Sequence, residues 1–495
     1  MKLTRKHILP ALAALLLLSQ TACGAGTQTE GSSAVTDGAA DTGTAAVTED
    51  SGYDYGDKDF GGESFNVINF ESIWNSYVYL DFAEPTGEVL DDAVFHRNRR
   101  VEEALNFSIN EVKFPYTGWE TGQVALIDTV TQSVMAGDYA YDAAYLPVAF
   151  KASVITDGYL YDLHELPGLQ LGEAWWDHYI NDSLELNGKL YAASSPMQLQ
   201  TLDMSDVLLF NEDMFETMDL ELPYGLVREG KWTLDKMMEY VKALSQLNGD
   251  TSFTFTNSGN SVYGIAAHPD LIFAMTYSAG ARLAEKTDNG FKVTLDSEHW
   301  INVTDTMLEM LHKESGYCIA NTDSTTDSYY IKLFREARAA FLTAEIKATM
   351  ELRDMEDTFG LLPMPKYDEA QKDYYTVTGY STTLLTVPSV QRDPEMVGTV
   401  LDALSYESWK TVLPIYYDAR LEQKGLRNED SVEMLDIVRS GLAAEPTLML
   451  GITNSFISAL DGGLIAGNVN MASLAASHTK NIEAKVKNVM DAVAD

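Results

Sequence analysis

Carboxylates are the residues of this chain most able to do chemistry. Its 495 residues include 74 Asp and Glu, and two carboxylates at a suitable separation can cleave a glycosidic bond by acid–base catalysis. The sequence contains no Gly-x-Ser-x-Gly, no phosphate-binding glycine loop and no His-Glu-x-x-His, and the histidines show no metal-ligand spacing. Because so many carboxylates form pairs by chance, no catalytic residue, metal or cofactor is assigned. A surface-tethered carbohydrate-active enzyme that uses a carboxylate pair stays an alternative.

Aromatic side chains in loops indicate binding without reaction instead. Trp74 and Tyr77 follow the first predicted strand, and Trp119 follows the second. Tyr145 and Pro147 stand at the end of the third. Rings in such loops could stack on the apolar face of a ligand, and the absence of an apolar period favours this role for Trp74 and Tyr77. For Trp119, Tyr145 and Pro147, packing within the protein is an equally good interpretation.

A repeated strand–helix pattern must position these loops. The helix predicted at 91–106 has its apolar residues on one face and Arg97, Arg99 and Arg100 largely off it, and the helix at 121–135 keeps the same 3.6-residue period. Strands and helices alternate as β-α-β-α-β, which is typical of a parallel sheet wrapped by helices, and ligands of such sheets bind beyond the carboxyl ends of the strands. The five predicted elements are 64–70, 91–106, 107–114, 121–135 and 141–146.

The later elements are less regular, and their topology does not follow from pattern alone. An Asn-Gly turn between alternating residues predicts a hairpin over 184–192. Strands are predicted at 207–210, 339–343 and 376–387. Helices are predicted at 233–247, 299–313, 327–338, 393–406, 428–440 and 470–493. Mixed α/β is therefore the predicted fold class.

The first 60 residues read as a secretion signal followed by a tether. The apolar run 8–18 is shorter than the roughly 20 residues of a membrane-spanning helix and fits a removable signal. A cysteine at Cys23, after small residues, resembles the lipid acceptor of bacterial lipoproteins, although Gln20 stands where these proteins usually have Leu. The alternative is a plain secretory signal with an incidental cysteine. The sequence predicts a signal peptide at 1–22 and a lipid-anchored, flexible tether at 23–58.

Charge and length narrow the possible partners. The formal net charge is −40, and −43 once 1–22 is removed. Such a chain lacks the Lys and Arg that phosphate contacts need, which argues against nucleic acid, and it favours neutral or cationic ligands.

The residues after the tether are too many for one core and contain no long linker, so interleaved domains are expected. With Cys23 lipidated, Cys318 is alone and no internal disulfide is expected.

Segments spread over nearly all of the chain after the tether carry a family resemblance. They are MAGDYAYD (135–142), GYLYDL (158–163), WWD (175–177), NGKLY (187–191), LFNEDMF (209–215), WTLD (232–235), AAFL (339–342) and FGLLPMPK (359–366). In their order and spacing these segments resemble the extracellular solute-binding lipoproteins of ABC importers, the class that includes the maltodextrin-type sugar binders. The resemblance implies a two-lobe α/β fold of periplasmic-binding-protein type II, the Venus-flytrap fold, with interleaved lobes and a hinge.

By this resemblance the chain crosses between lobes near 200–206, near 355–362 and again near 410. Lobe I would comprise 59–203 and 358–410, and lobe II would comprise 204–357 and 411–495.

The resemblance also implies further ligand contacts. His268 and Asp270 align with a contact-bearing loop of the family, but a core histidine and a helix cap are at least as good an interpretation. Glu345 stands where the family often has an aromatic residue, which weakens the case for a stacking platform in lobe II. Tyr380 lies beside a predicted crossing strand, and Phe456 lies near a position where the family often stacks a ring.

The function implied is capture of a small solute, an oligosaccharide by preference, in a cleft between the lobes and its delivery to an ABC permease. The chain would act as a monomer, without chemistry and without a cofactor, on the outer face of the cell membrane, where its lipid anchor holds it. Its partners would be the solute, the transmembrane subunits of the permease and the membrane, but no nucleic acid. A cell-wall adhesin or scaffold is a third possible function, beside solute capture and the enzyme alternative, and the absence of sequence repeats disfavours it.

Overall fold

Two β-sheets organise the part of the chain that this computed structural model describes, which is residues 52–494 except 72, 75, 254–257, 269–271, 288–289, 313–317, 321–328 and 422–428. The predicted signal, Cys23 and nearly all of the tether lie outside the described residues. The strands are β1 Glu63–Phe70, β2 Phe107–Phe114, β3 Ala143–Leu146, β4 Asp206–Asn211, β5 Tyr263–Ala267, β6 Ala284–Thr287, β7 Gly290–Val293, β8 Cys318–Ala320, β9 Ala339–Glu345, β10 Phe359–Leu362, β11 Thr376–Val377, β12 Leu384–Thr386 and β13 Leu442–Ala443.

Helices surround these sheets, and among the described residues none is both long enough and apolar enough to cross a membrane. The helices are α1 Val89–Leu105, α2 Trp119–Ala136, α3 Ser153–Thr156, α4 His178–Leu184, α5 Gln200–Asp203, α6 Glu212–Thr217, α7 Tyr224–Arg228, α8 Leu234–Leu244, α9 Ile272–Ser278, α10 Glu298–Leu311, α11 Tyr329–Arg335, α12 Ala348–Glu351, α13 Pro394–Glu407, α14 Leu413–Leu421, α15 Glu429–Ser440, α16 Pro446–Met449, α17 Asn454–Ala466 and α18 Met471–Ala492. A π-helical turn, Ser408–Val412, joins α13 to α14.

The first sheet has the order β12-β3-β1-β2 and confirms the predicted β-α-β-α-β unit. β1 is parallel to β2 along its whole length and parallel to β3, while β12 is antiparallel to β3. α1 ends where Asn106 adopts a left-handed φ of 50°, and α2 ends at Gly137 with a φ of 64°. Both residue types tolerate that conformation, so each helix ends where the sequence places such a residue. The carboxyl ends of β1, β2 and β3 therefore lie along one edge of the sheet.

One helix-face prediction was wrong, because Arg97 is buried rather than off the apolar face of α1. Its side chain is 1% exposed. The guanidinium donates to the carbonyl oxygens of Leu80 and Met197 and to Ser408 Oγ, at 2.7–3.0 Å. A guanidinium can be buried when enough acceptors surround its fixed fork of N–H groups. Those acceptors come from distant parts of the chain, so the periodicity of α1 alone gave no sign of them.

The second sheet has the order β10-β4-β9-β5-β8. β4 is antiparallel to β9 and to β10, and β5 is parallel to β9 and β8. The resemblance implied that lobe I includes 358–410, but β10, at the start of that range, pairs with β4 in the second sheet. A short apolar strand carries no mark of the sheet it joins, so the sequence could not correct this limit. The lobe limits given above otherwise stay a prediction.

Two segments that connect the sheets run side by side. Ser205 and Thr378 form an antiparallel bridge, and the Gly379 N–H donates to the Met204 carbonyl oxygen at 2.9 Å. The first of these segments follows the crossing predicted near 200–206. The return to the first sheet falls between β10 and β12 rather than near 355–362, because β10 still pairs within the second sheet.

The predicted hairpin at 184–192 is reduced to a tight turn. Leu186 and Lys189 exchange both backbone hydrogen bonds, at 2.8 and 2.9 Å. Asn187 and Gly188 between them have φ values of 51° and 75°. These are the left-handed conformations that an Asn-Gly turn supplies. The turn chemistry was predicted correctly, but only one residue pair of ladder follows it.

Candidate functional site

A cavity of about 410 Å³ lies between the two sheets, and we call it the inter-sheet cavity. Its aromatic walls come from both sheets and from the segment that connects them. Its charged residues cluster in the second sheet, where β4 begins and β9 ends. The residues used below are Trp74, Trp119, Asp206, His268, Phe273, Tyr330, Glu345, Lys347, Glu351, Gly379 and Tyr380.

Loops at the carboxyl ends of β1 and β2 supply one aromatic wall of the inter-sheet cavity. The ring centroids of Trp74 and Trp119 are 5.2 Å apart, and Trp119 also contacts Phe150 at 5.3 Å. Trp119 is 49% exposed although it belongs to the first turn of α2. Trp74 has a φ of 46°, which is unusual for so bulky a residue and costs on the order of 1 kcal/mol. Such strain is often found at functional sites.

The segment between β11 and β12, residues 378–383, which we call the connecting segment, brings a third ring to this wall. Tyr380 lies 6.3 Å from Trp119 and is stacked near Phe150 at 6.4 Å. Beside it, Gly379 lies so near the second sheet that a Cβ there would be 3.7 Å from Glu345 Oε1. The segment therefore carries aromatic surface from the first sheet up to the charged edge of the second.

Charged residues of the second sheet form the opposite wall. Asp206 is the first residue of β4 and pairs in register with Glu345, the last residue of the antiparallel strand β9. Lys347 Nζ lies 2.8 Å from Glu345 Oε2. His268, which follows β5, packs its ring 5.4 Å from that of Tyr330. Burial raises the pKa of Asp206 well above its ordinary value, Glu345 adds to this effect and Lys347 opposes it.

A second cavity, of about 460 Å³, lies elsewhere in the molecule. It is lined by residues of 174–202, of the π-helical turn, of α14, of α15 and of β13, including Trp175, Trp409 and Arg439. None of its lining residues follows the carboxyl end of a strand of either large sheet. Since ligands of open α/β sheets bind beyond those ends, the inter-sheet cavity is the better candidate although it is slightly smaller.

No family model and no curated protein matches this chain. Solved structures do match. An ABC substrate-binding protein from Listeria monocytogenes in complex with cycloalternan has a TM-score of 0.55 at 14% identity, with 86% of this chain and 99% of that chain covered. A cyclo/maltodextrin-binding protein complexed with maltotetraose has a TM-score of 0.57 at 12% identity, with 86% and 97% covered.

A maltose-binding periplasmic protein from Listeria monocytogenes in complex with maltose is similar as well, with a TM-score of 0.56 at 13% identity over 86% of this chain and 98% of that chain. The chain has the fold of periplasmic solute-binding proteins. In this two-lobe α/β fold the ligand cleft lies between the lobes, as hinge closure requires. The inter-sheet cavity has that position, because residues of both sheets line it.

The structure brings five of the sequence-predicted residues to the inter-sheet cavity and leaves others outside it. Tyr77 does not line the cavity, since its N–H donates to Asp203 Oδ2 at 2.7 Å and its hydroxyl to Asp91 Oδ1 at 2.8 Å. Burial, then the hydrogen bond to Asp91, raises the pKa of Tyr77. The residues brought together are Trp74, Trp119, His268, Glu345 and Tyr380.

The remaining predicted residues are core residues or lie outside the described part of the chain. Tyr145 is buried within β3, and Pro147 is buried where a short 3₁₀ turn begins. Phe456, on α17, is buried 5.7 Å from the ring of Trp300. All three are therefore core residues, and packing within the protein was the alternative interpretation of Tyr145 and Pro147. Asp270 lies outside the described residues.

Asp206 is the main lining residue that the sequence analysis missed. It directly precedes the continuous apolar run of β4, and a carboxylate at the start of a fully buried strand is a signal that was available. Lys347 and Tyr330 carried no comparable signal, because their place depends on how β9 and α11 pack. Within the described residues no three His, Cys, Asp or Glu are grouped as a metal site.

Proposed function

We propose that this chain is the solute-binding component of an ABC import system, which captures an oligosaccharide in the inter-sheet cavity and delivers it to a permease without reacting with it. The observation that carries the proposal is a cavity that is lined by aromatic rings from both sheets and by carboxylates from the second. Aromatic faces suit the apolar faces of sugar rings, and carboxylates accept hydrogen bonds from hydroxyls. The structural neighbours named above are sugar complexes of such proteins, which supports the proposal.

Hinge closure gives this arrangement its function. A ligand favours the closed state only through contacts that it makes with both lobes at once. Micromolar affinity corresponds to about 8 kcal/mol of net binding free energy. A sugar in this cavity would contact the rings beyond β1 and β2 on one side and the carboxylates of the second sheet on the other, so its contacts would hold both lobes together. The closed shape would then be what the permease recognises.

The proposed function predicts stabilisation by sugar. The chain from Gly24 onward omits the acceptor cysteine but keeps the whole described body. It should unfold at a higher temperature when a suitable member of a panel of neutral oligosaccharides is present than when no sugar is present. At a ligand concentration of 100 Kd the gain is about 2.7 kcal/mol, read as a rise in Tm by differential scanning calorimetry. Chromatography of the incubated sugar should show it unchanged.

Two results would contradict this proposal. Release of shorter sugars would favour the alternative of a carbohydrate-active enzyme, in which Asp206 and Glu345 would be the carboxylate pair to test. Failure of every oligosaccharide to raise Tm would reject sugar capture.

We further propose that a lipid on Cys23 holds the protein at the outer face of the membrane. The basic residues Lys2, Arg5 and Lys6, the apolar run 8–18 and the cysteine that follows it support this anchor. Two acyl chains, at about 0.8 kcal/mol per buried methylene, suffice for stable attachment. Cys23→Ala should move the protein from the membrane fraction to the medium, as measured by immunoblot, while Cys318→Ala, the matched control, should leave it attached. A Cys23→Ala protein that stays with the membrane would contradict the anchor.

A further inference from the structure

One carboxylate of the inter-sheet cavity is buried without the partners that a carboxylate needs. Asp206 is 5% exposed. Its Oδ1 atom is buried and accepts no hydrogen bond. Leaving a buried acceptor without a hydrogen-bond partner is costly, and more so when the acceptor is charged. Because Asp206 lines the cavity, a ligand group could supply the missing partner.

The charge balance around Asp206 indicates which kind of group that is. Asp206, Glu345 and Glu351 line the cavity, and Lys347 is the one lysine or arginine among its lining residues. Lys347 is already paired with Glu345 at 2.8 Å. The lining lysine is therefore already paired with Glu345, and no other lysine or arginine among the described lining residues can balance the charge of an ionised Asp206.

A positive ligand group would remove the penalty that burial places on Asp206. Burial and the neighbouring Glu345 raise the pKa of this carboxyl well above its ordinary value, against the opposing effect of Lys347. A cation near the carboxyl reverses that effect, because an opposite charge within a few ångströms favours the ionised form. A hydroxyl could donate a hydrogen bond to Asp206 but could not balance its charge.

Two further features favour a cationic group. The cavity is lined by Trp74, Trp119, Tyr330, Tyr380 and Phe273, and the faces of such rings attract cations. The chain as a whole carries a formal charge of −40. A field of that sign raises the local concentration of cations and lowers that of anions.

We propose that Asp206 binds a protonated amine of the ligand, so that the cavity selects a polyhydroxylated solute with a basic nitrogen, such as an oligomer of an amino sugar. The inference rests on the proposed function and specifies its substrate class. The aromatic wall stacks on the sugar rings, and the carboxylate wall receives the ammonium group. A charge-assisted hydrogen bond of this kind is about twice as strong as a neutral one.

Isothermal titration calorimetry with three matched sugars tests the inference. The probes are a glucosamine trimer, its fully N-acetylated counterpart and a neutral glucose trimer with the same linkage, each titrated into the chain from Gly24 onward. The amine trimer should bind at least about tenfold more tightly than the N-acetylated trimer. Acetylation removes the positive charge but adds an acetyl group, whereas the glucose trimer replaces the ammonium group by a hydroxyl of similar size, so the amine must be preferred over both to assign the effect to its charge.

Substitutions at Asp206 then assign the selectivity to this carboxyl. Asp206→Asn keeps the shape and should reduce the preference for the amine trimer to within about threefold of parity, while Asp206→Glu should retain part of it. Asp354→Asn, on a side chain that is 88% exposed and outside the cavity, should change nothing. Circular dichroism verifies that each variant is folded, and the comparison of trimers in the unsubstituted protein does not depend on the variants.

The outcomes separate this inference from the proposed function. Equal or tighter binding of the neutral trimers overturns the inference and leaves oligosaccharide capture intact. An amine preference that survives Asp206→Asn also overturns it, because another group would then hold the ammonium. If none of the three trimers binds while some other neutral oligosaccharide raises Tm, only the inference fails, and if no sugar binds at all, both fail.

Discussion

Asp402→Ala is expected to lower the free energy of unfolding by about 4 kcal/mol. Asp402, on α13, is fully buried. Its oxygens accept from the Tyr53 hydroxyl, from the backbone and side-chain N–H groups of Gln170, and from the indole nitrogens of Trp175 and Trp176, at 2.9–3.1 Å. Removing the carboxylate leaves these donors without an acceptor where little water can replace it. Urea unfolding followed by tryptophan fluorescence measures the loss.

The matched control is Asp354→Ala, which removes the same group from an exposed position. Its cost should stay within about 0.5 kcal/mol. Asp402→Asn should be intermediate, because one of its two side-chain positions still accepts while the other becomes a donor. A loss below about 1 kcal/mol for Asp402→Ala would show that the donors find other partners and that Asp402 does not hold this region together.

The Asp402 contacts also determine where the folded body begins. Tyr53 donates to Asp402 Oδ2 at 3.0 Å, and Tyr55 donates to Glu407 Oε1 at 2.9 Å. The folded body was predicted to begin at residue 59, because the composition of the preceding segment is typical of a flexible tether. These two tyrosines instead pack against α13, which lies more than 300 residues later in the chain. A local composition rule has no access to such a contact, so the boundary was set too late.

Elements whose signal is local were predicted well. The strand predicted at 107–114 matches β2 residue for residue, and the helix predicted at 91–106 differs from α1 by two residues or fewer at each end. Both have strong periodicity and end at residues that favour a left-handed backbone or a change of period. By contrast, the single strand predicted at 376–387 is divided into β11 and β12. The residues between them form the connecting segment, whose shape is set by the neighbouring segment at 200–206.

The candidate site was predictable to the extent that it follows from strand order. Trp74 and Trp119 lie beyond β1 and β2, where a parallel sheet presents its ligand loops, and they do meet in the inter-sheet cavity. Tyr145 failed as a candidate because it belongs to β3 itself, so its ring points into the core instead of continuing into a loop. Asp206 and Glu345 meet only because β4 and β9 are antiparallel. That pairing spans more than a hundred residues, and no pattern within either segment predicts it.

Trp119→Ala is expected to weaken sugar binding by about thirtyfold, which corresponds to about 2 kcal/mol, with a change in unfolding free energy below about 1 kcal/mol. Trp119 is 49% exposed, so its ring contributes little to the core and offers a stacking face to a ligand. Trp74 and Phe150 hold the ring at 5.2 and 5.3 Å, which reduces the entropy lost when a sugar binds against it. Titration calorimetry with the oligosaccharide that raises Tm most, alongside urea unfolding, separates affinity from stability.

Tyr179→Ala is the matched control, because it removes an aromatic ring of similar exposure from the second cavity. Tyr179 is 61% exposed and lines that cavity. Affinity for the sugar should be unchanged, since the two cavities share no lining residue. If Tyr179→Ala weakened binding and Trp119→Ala did not, the second cavity would be the ligand site, and the assignment made from the carboxyl ends of the strands would be wrong. An equal loss in both variants would indicate that closure of the lobes on the sugar couples the two cavities. The sugar would contact only one of the two rings, so the other ring would have to act indirectly.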